Sequence, residues 1–352
     1  MNGKKRKIII ILSIVLIIIL LIIPFGISVM IYEDNFGDRY ETYAPMARSI
    51  DEFDGLNLQR YTFTSDQGQQ LAGYKYYRDL ENIKGVVVIA HGLGGGGHNS
   101  YMDVADYFTL NEYVVFAYDA TGNDESEGSS VTGIPQGLID LDYAIRFVKQ
   151  TPDFDGLPIM LFGHSWGGYS VGSVLNLHPD VKAVVMVAGF NKSTDIIEEE
   201  GKRIAGDMIN VLLPYISLYE RIKFGKSASY SCINGFENTD AGVMVIHSTD
   251  DEMISEKMSF DVFYDIYKDN PRFNFVKYEN RGHNYVYYSD ASREYKDEFN
   301  RKFDQYLYSL DGELTIELKA SYFDDHLDKK SLFDLDEELM DRIVKFYDSY
   351  VN

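Results

Sequence analysis

Six short apolar runs rich in β-branched residues recur along the chain: GVVVIA (85–90), YVVFAYD (113–119), PIMLFGH (158–164), VKAVVMVAG (181–189), GVMVIHS (242–248) and FNFVKYE (273–279). Stretches with helical spacing lie between most of them. In IPQGLIDLDYAIRFVKQ (134–150), Leu138, Leu141, Ile145 and Val148 fall on one face of a helix. Strands alternating with helices predict an α/β fold, a mostly parallel central sheet with helices on both faces. Such a sheet gathers its ligands at the carboxyl ends of its strands. Two alternating segments precede the rhythm, LQRYTFT (58–64) and LAGYKYY (71–77), and the SDQGQQ between them predicts a hairpin turn.

The N-terminus imposes a second constraint. KKRK (4–7) precedes IIIILSIVLIIILLIIPFGISVMI (8–31), which contains no charged residue. As a helix this run would span roughly 36 Å, more than the roughly 30 Å core of a bilayer. The basic cluster belongs on the cytoplasmic side, which puts the rest of the chain outside the cell membrane as a single-pass protein. A cleaved signal peptide is the rival reading. Its apolar core would be shorter, and no small-x-small site follows, so an uncleaved signal-anchor is expected.

Of 33 basic residues four lie in that cluster, against 55 acidic residues in the chain, which leaves about −26 on the exported part; the whole chain carries −22. That balance argues against a nucleic-acid partner and against electrostatic docking on anionic lipid. Cys232 is the single cysteine, so neither an intrachain disulfide nor a cysteine zinc site is possible.

Residues 1–32 read as cytoplasmic tip and transmembrane anchor, 33–55 as a stalk, and 56–312 as the catalytic domain. The strand rhythm breaks between Gly189 and Gly242. The helical-looking STDIIEEEGKRIAGDMINVLLPYISLYERI (193–222) in that gap predicts a small helical cap inserted at about 191–240. Residues 313–352 form an acidic helical extension with no functional reading of its own.

One stretch points to chemistry. LFGHSWGGYS (161–170) sets Ser165 among Gly163, Gly167 and Gly168, directly behind an apolar run and ahead of a helical stretch. A G-x-S-x-G between strand and helix holds a serine in a sharp turn, clear of the sheet and near a helix N-terminus. A serine hydroxyl needs a base. Of the seven histidines, His164 leaves the strand on another side, His247 lies within a strand, and His178 and His326 sit at a helix end and in the tail. His91 and His98 flank the glycine-rich AHGLGGGGHNS (90–100). His283, in ENRGHNYV, follows the last strand and reaches the carboxyl edge where Ser165 sits, which makes it the candidate base. Asp250 and Asp251 follow another strand at the same edge, and either can be the acid that fixes the base. The glycine-rich loop lets backbone N–H groups approach a ligand, so those of Leu93 and Trp166 are the candidate oxyanion donors. The loop lacks the lysine of a phosphate-binding loop and the spacing of a dinucleotide site.

HGLGG, YDATGNDESEG, GHSWGG, STDDEMIS and GH, in this order, resemble an α/β-hydrolase, and more narrowly its serine-aminopeptidase and lysophospholipase-like branch, over roughly residues 58–310. The resemblance implies Ser165 as nucleophile, His283 as base and Asp251 as acid. STDDEMIS is similar to the family's G-x-x-D-x-x-V-P, with Ser248 at its glycine and Ser255 at its proline. DATGNDESEG resembles D-x-R-G-x-G-x-S-x-G, with Thr121 in place of the arginine and Asp124 in place of the second glycine.

The expected chemistry is two-step acyl transfer through an acyl-enzyme, with no metal or organic cofactor. A carboxylic ester of a small-molecule acyl substrate, lipid-derived given the tether, is the first expectation. INVLLPYISLY (209–219) either lines an apolar acyl pocket or packs the cap onto the domain. A peptidase outside the cell is the second expectation, in which an acid of EEEGKR (198–203) would catch a free amine. A catalytically silent surface binding protein is the third.

Overall fold

The computed structural model describes residues 3–79, 82–310 and 312–351. The first five apolar runs become strands that pack on both of their faces, and the sixth forms a partly buried edge strand. The strands are β1 (Asn57–Thr64), β2 (Gln70–Tyr77), β3 (Gly85–Ala90), β4 (Tyr113–Tyr118), β5 (Ile159–His164), β6 (Ala183–Val187), β7 (Gly242–Ser248) and β8 (Phe273–Tyr278). Every residue of β3 to β7 is buried, which is why these strands show no polar alternation. One eight-stranded sheet results, in the order β1-β2-β4-β3-β5-β6-β7-β8. β1 and β2 form the hairpin, and β2 pairs antiparallel with β4. All other pairings are parallel, so the carboxyl ends of β3 to β8 share one rim.

Helices cover both faces. On one, Ile134–Gln150 buries Leu138, Leu141, Ile145 and Val148 beside Trp166–Ser173. On the other, Met102–Leu110 packs with Glu337–Asp348, the last helix of the C-terminal extension. That last helix buries Leu339, Met340, Ile343, Val344, Phe346 and Tyr347, so this part of the extension completes the sheet's cover. Cys232 is a buried free thiol in the first of these cores.

Between β6 and β7 lie the helices Ser193–Ala205, Ile209–Phe224 and Cys232–Glu237. The stretch read as one helix over 193–222 is two, because Gly206 takes a left-handed φ of 58° that ends the first.

The N-terminal helix runs from Gly3 to Phe36, with a π-helical turn at Ile18–Ile22. It is long and apolar enough to cross a membrane, and none of its most apolar stretch is buried against the protein. Residues 33–55, expected as a stalk, are instead helix to Phe36 and then a strap against the domain. Arg39 donates to the carbonyls of Ser126, Asp124 and Gly128 at 3.0, 2.8 and 2.5 Å, and Tyr40 N–H donates to Gly122 at 3.0 Å. Arg48 bridges Asp103 at 3.1 Å and Glu52 at 2.9 Å. The strap mixes such polar ties with isolated apolar contacts, Phe53 in the core and Tyr43 against Phe323, and so shows no hydrophobic period.

The end of the N-terminal helix is fastened to the cap. Tyr32 donates to Glu220 at 2.8 Å, and Ser193 donates to the same carboxylate oxygen. The other oxygen of Glu220 is buried without a protein partner among the described residues. Burial pushes the Glu220 carboxyl up to about 7, against the hydrogen bonds from Ser193 and Tyr32 that lower it. The folded chain therefore keeps a proton that the unfolded chain loses near pH 4.5. Stability drains away as pH rises from there through about 7 and is level above it. Replacing Glu220 by Gln removes this term while keeping an acceptor for Tyr32. Relative to Glu220→Gln, the wild type should lose on the order of 3 kcal/mol of unfolding free energy between pH 4.5 and pH 8, read from denaturant melts of the full-length chain in detergent.

Candidate active site

Sterics at the end of β5 decide where Ser165 can be. The chain leaves β5 at His164 and enters a helix at Trp166, with Ser165 alone at the turn at φ 57° and ψ −117°. Its N–H donates to the Val187 carbonyl at 2.9 Å, which ties the turn to the neighbouring β6. The following helix passes so close to the sheet that a Cβ on Gly167 would lie 1.9 Å from the Ala90 carbonyl oxygen. A Cβ on Gly163 would lie 2.2 Å from the carbonyl oxygen of Gly167. The two glycines of the G-x-S-x-G pattern are therefore contact points, and the serine between them stands clear of the strand.

Three loops at the same rim come together. Ser165, after β5, donates its hydroxyl to His283 Nε2 at 2.9 Å. His283, after β8, donates through Nδ1 to Asp251 at 2.8 Å. Asp251, after β7, spends its other oxygen on the N–H groups of Met253 and Ile254 at 2.9 and 2.8 Å. Burial alone would raise the Asp251 carboxyl, but the hydrogen bond and charge of His283 and the Ile254 N–H hold it below the ordinary carboxylate range. The neighbouring Asp250 faces elsewhere. It accepts from Gly282 and Arg281 N–H at 3.0 and 3.1 Å and from the Ser248 hydroxyl at 2.5 Å, so it pins the loop that carries His283. Of the two acids left open by the spacing, only Asp251 touches the imidazole.

Leu93 and Trp166 both line the chamber beside Ser165 and His283. Trp166 opens its helix, so its N–H has no intrahelical partner. Asp119 and Asp124 hold the glycine-rich loop that carries Leu93. Asp119 accepts from His98 N–H and His98 Nδ1, each at 2.8 Å. Asp124 accepts from Gly97 N–H at 2.7 Å and from Thr42 N–H at 2.6 Å, which joins the loop to the strap. Asp124 stands where the resembled motif has glycine, and its φ is 34°, in the positive range that glycine adopts most readily.

Two residues escaped the sequence reading. His164 is buried beneath His283 and donates to its carbonyl oxygen through Nε2 at 2.9 Å. Tyr101 lies 3.2 Å from His164 Nδ1 and accepts from Gly92 N–H at 2.9 Å. Burial, and then the nearby His283, push the His164 imidazole down to about 3, so it is neutral and serves as a prop. A histidine next to the serine in sequence was the only signal for it.

The chamber at Ser165 encloses about 700 Å³. Cap residues Ile196, Ile197 and Ile209 line it, together with Phe190 at the end of β6. Glu200 also reaches it, with its carboxylate engaged by Arg203.

A mostly parallel sheet of this order, with a serine on a strand-to-helix turn and an imidazole and carboxylate on later loops of the same rim, defines an α/β-hydrolase. The family described as "Serine aminopeptidase, S33" matches residues 81–268, just over half of the chain, and the chain belongs to that family. Among curated relatives it is similar to monoglyceride lipase of Homo sapiens, 24% identical over 41% of this chain and 48% of that protein. The Rattus norvegicus monoglyceride lipase is 25% identical over the same shares. The chain thus spans about half the length of the curated relatives it matches. Among solved structures, the Pyrococcus furiosus esterase Pf2001 superposes with a TM-score of 0.51 at 16% identity, over 73% of this chain and 92% of that one. Acetyl xylan esterase 1 of Thermoanaerobacterium gives 0.50 at 18%, over 74% and 86%. At those identities the likeness is one of fold.

The backbone at Ser165 makes its own prediction. A non-glycine residue at this φ and ψ stores on the order of 1–3 kcal/mol. Ser165→Gly should be about 1 kcal/mol more stable than Ser165→Ala, since both remove the hydroxyl and only glycine relieves the strain. Thermal unfolding of the two variants side by side reads the difference; equal midpoints would contradict it.

Proposed function

We propose that the chain is a serine hydrolase that cleaves carboxylic esters by acyl transfer to Ser165. The observation that carries this reading is the unbroken relay from the Ser165 hydroxyl through His283 to Asp251, with separations of 2.9 and 2.8 Å. With the imidazole proton on Nδ1 facing the carboxylate, Nε2 offers a lone pair to the serine proton. Ser165 Oγ attacks the ester carbonyl as that proton moves to Nε2, and Asp251 stabilises the resulting cation. The Leu93 and Trp166 N–H groups receive the developing oxyanion, at about 3 kcal/mol per donor. His283 returns the proton to the departing alkoxide, leaving an acyl-enzyme. Water then enters, gives its proton to His283 and releases the acid. Side chains and backbone N–H groups of this chain, with water, supply every step.

Two points favour an ester over a peptide. An alkoxide departs more readily than an amine. The acids of the cap expected to catch a free amine are already occupied: Glu198 by Lys202, Glu200 by Arg203, and Glu199 by the N–H and hydroxyl of Ser255 at 3.0 and 3.2 Å. The monoglyceride lipase relatives and the apolar lining agree with a lipid-derived acyl group. We read the N-terminal helix as an uncleaved anchor with the basic cluster in the cytoplasm and the hydrolase domain outside.

A fluorophosphonate probe should label the wild type and leave Ser165→Ala unlabelled. Asp251→Asn should lower kcat on p-nitrophenyl esters by about 10⁴-fold. Faster turnover of aminoacyl anilides than of any p-nitrophenyl ester would move the assignment to a peptidase, which the family's description also names. A folded wild type that takes no label would end the enzyme reading.

A further inference from the structure

The chamber beside Ser165 is not closed by the hydrolase domain and cap alone. Ile31, Tyr32, Asn35 and Phe36, from the last two turns of the N-terminal helix, form part of its wall. This contact is built into the fold. Tyr32 is only 2% exposed and Ser28 is fully buried. Glu33 accepts from Tyr219 and Lys223 of the cap, each at 2.5 Å. A Cβ on Gly133, whose φ is +150°, would lie 2.1 Å from the Tyr32 hydroxyl oxygen, so the domain has cleared space for that side chain.

The same helix is the one apolar enough to cross a membrane, and the cap follows it toward that membrane. Tyr215 of the cap donates to the carbonyl of Leu20, deep inside the uncharged run 8–31. From Leu20 to Ile31 is roughly 16 Å along a helix axis. The cap therefore reaches to the depth of the apolar run. The cap also exposes apolar side chains to its surroundings: Met208, Val211 and Ile222 are 77, 65 and 65% exposed. Three lining residues of the chamber, Ile31, Ile204 and Met253, are themselves 37, 82 and 46% exposed, which marks an apolar mouth next to the helix.

We propose that the N-terminal helix is a permanent wall of the substrate chamber, and that a single-chain lipid ester passes from the bilayer along this helix through the mouth at Ile31, Ile204 and Met253, with its acyl chain lying against Ile31 and Phe36. The inference rests on the ester-hydrolase reading and deepens it, because it supplies the substrate class and the entry route. A chain bound this way never crosses water. The carbonyl reaches Ser165 while the tail exchanges one apolar surface for another, which avoids the cost of exposing methylene groups. Loss of the helix would strip four side chains from the chamber and leave the Glu220 carboxylate with Ser193 alone.

The test uses full-length Ser165→Ala protein in phosphatidylcholine nanodiscs and a long-chain monoacylglycerol carrying a diazirine midway along its acyl chain. After irradiation, peptide mapping should find adducts on residues 27–36 and on the cap segment 204–216. Adducts confined to other parts of the chain, or none at all, overturn the proposal. In the active chain, Ile31→Trp narrows the mouth. The ratio of kcat/KM for a dodecanoyl ester to that for a butanoyl ester should fall about tenfold or more relative to wild type; an unchanged ratio also overturns it. If the wild type hydrolyses no ester but the adducts fall on 27–36, the helix wall stands and only the chemistry assigned to Ser165 is lost.

Discussion

The site depends on one steric constraint, the contact of the helix after Ser165 with the ends of β3 and β5. Carbonyl oxygens of Ala90 and Gly167 occupy the positions that side chains of Gly167 and Gly163 would need. This contact forces the turn to be sharp, and the turn's sharpness puts Ser165 at a left-handed φ. It also brings the first N–H of that helix to the chamber next to the loop after β3. The clear position of Ser165, its strain and the placement of the candidate oxyanion donors therefore follow from two absent methyl groups. A functional geometry that costs stability locally is held by the buried sheet on either side, where every residue of β3, β5 and β6 is out of water.

A second level of organisation fixes the imidazole. His283 sits on a loop with little regular structure, yet it is tied from several directions. Asp250 takes the N–H groups of Arg281 and Gly282. Arg281 bridges Asp336 at 2.6 Å and stacks on Tyr278 at 3.7 Å from the ring centre. His164 takes the His283 carbonyl from below. Asp336 caps the last helix through Leu339 N–H at 3.0 Å, so the C-terminal extension contributes to the loop's placement as well as to the sheet's cover. The two adjacent acids after β7 thus divide the work: one meets the ring and the other holds its backbone.

Much of this was legible in the sequence because it is written in local pattern. Burial on both faces produces unbroken apolar runs, and the helix Ile134–Gln150 declares its face by spacing. Ser165, Asp251 and His283 were reachable because each follows a run that can only be a parallel strand, and parallel strands share a carboxyl rim. What stayed hidden depends on contacts with no period. The strap 37–55 binds through Arg39 to carbonyl oxygens, which every residue owns and no sequence marks. The choice between Asp250 and Asp251 turns on which carboxylate points at a ring, and spacing alone does not contain it. His164 looks like a packed strand residue until its partner, 119 positions away, is in place.

One of the departures from the resembled motif, Asp124, has a structural role. Asp124 stands at the resembled motif's second glycine, and its φ is positive, where a non-glycine residue is strained. The strain is offset by its carboxylate, which gathers Gly97 N–H, Thr42 N–H and the Thr42 hydroxyl at 2.6 to 2.7 Å. Thr42 belongs to the strap that descends from the N-terminal helix, and Gly97 belongs to the loop beside Ser165. One substitution thus couples the segment leaving the apolar helix to the loop that presents Leu93. In this chain the tether and the loop share a carboxylate, so pulling the strap away would strip the Thr42 N–H and hydroxyl from Asp124 and leave Gly97 N–H as its remaining partner of the three. Attachment of the strap and placement of the glycine-rich loop are therefore linked at more than one residue, through Asp124 and through Asn99, which accepts from Arg48 N–H at 2.8 Å.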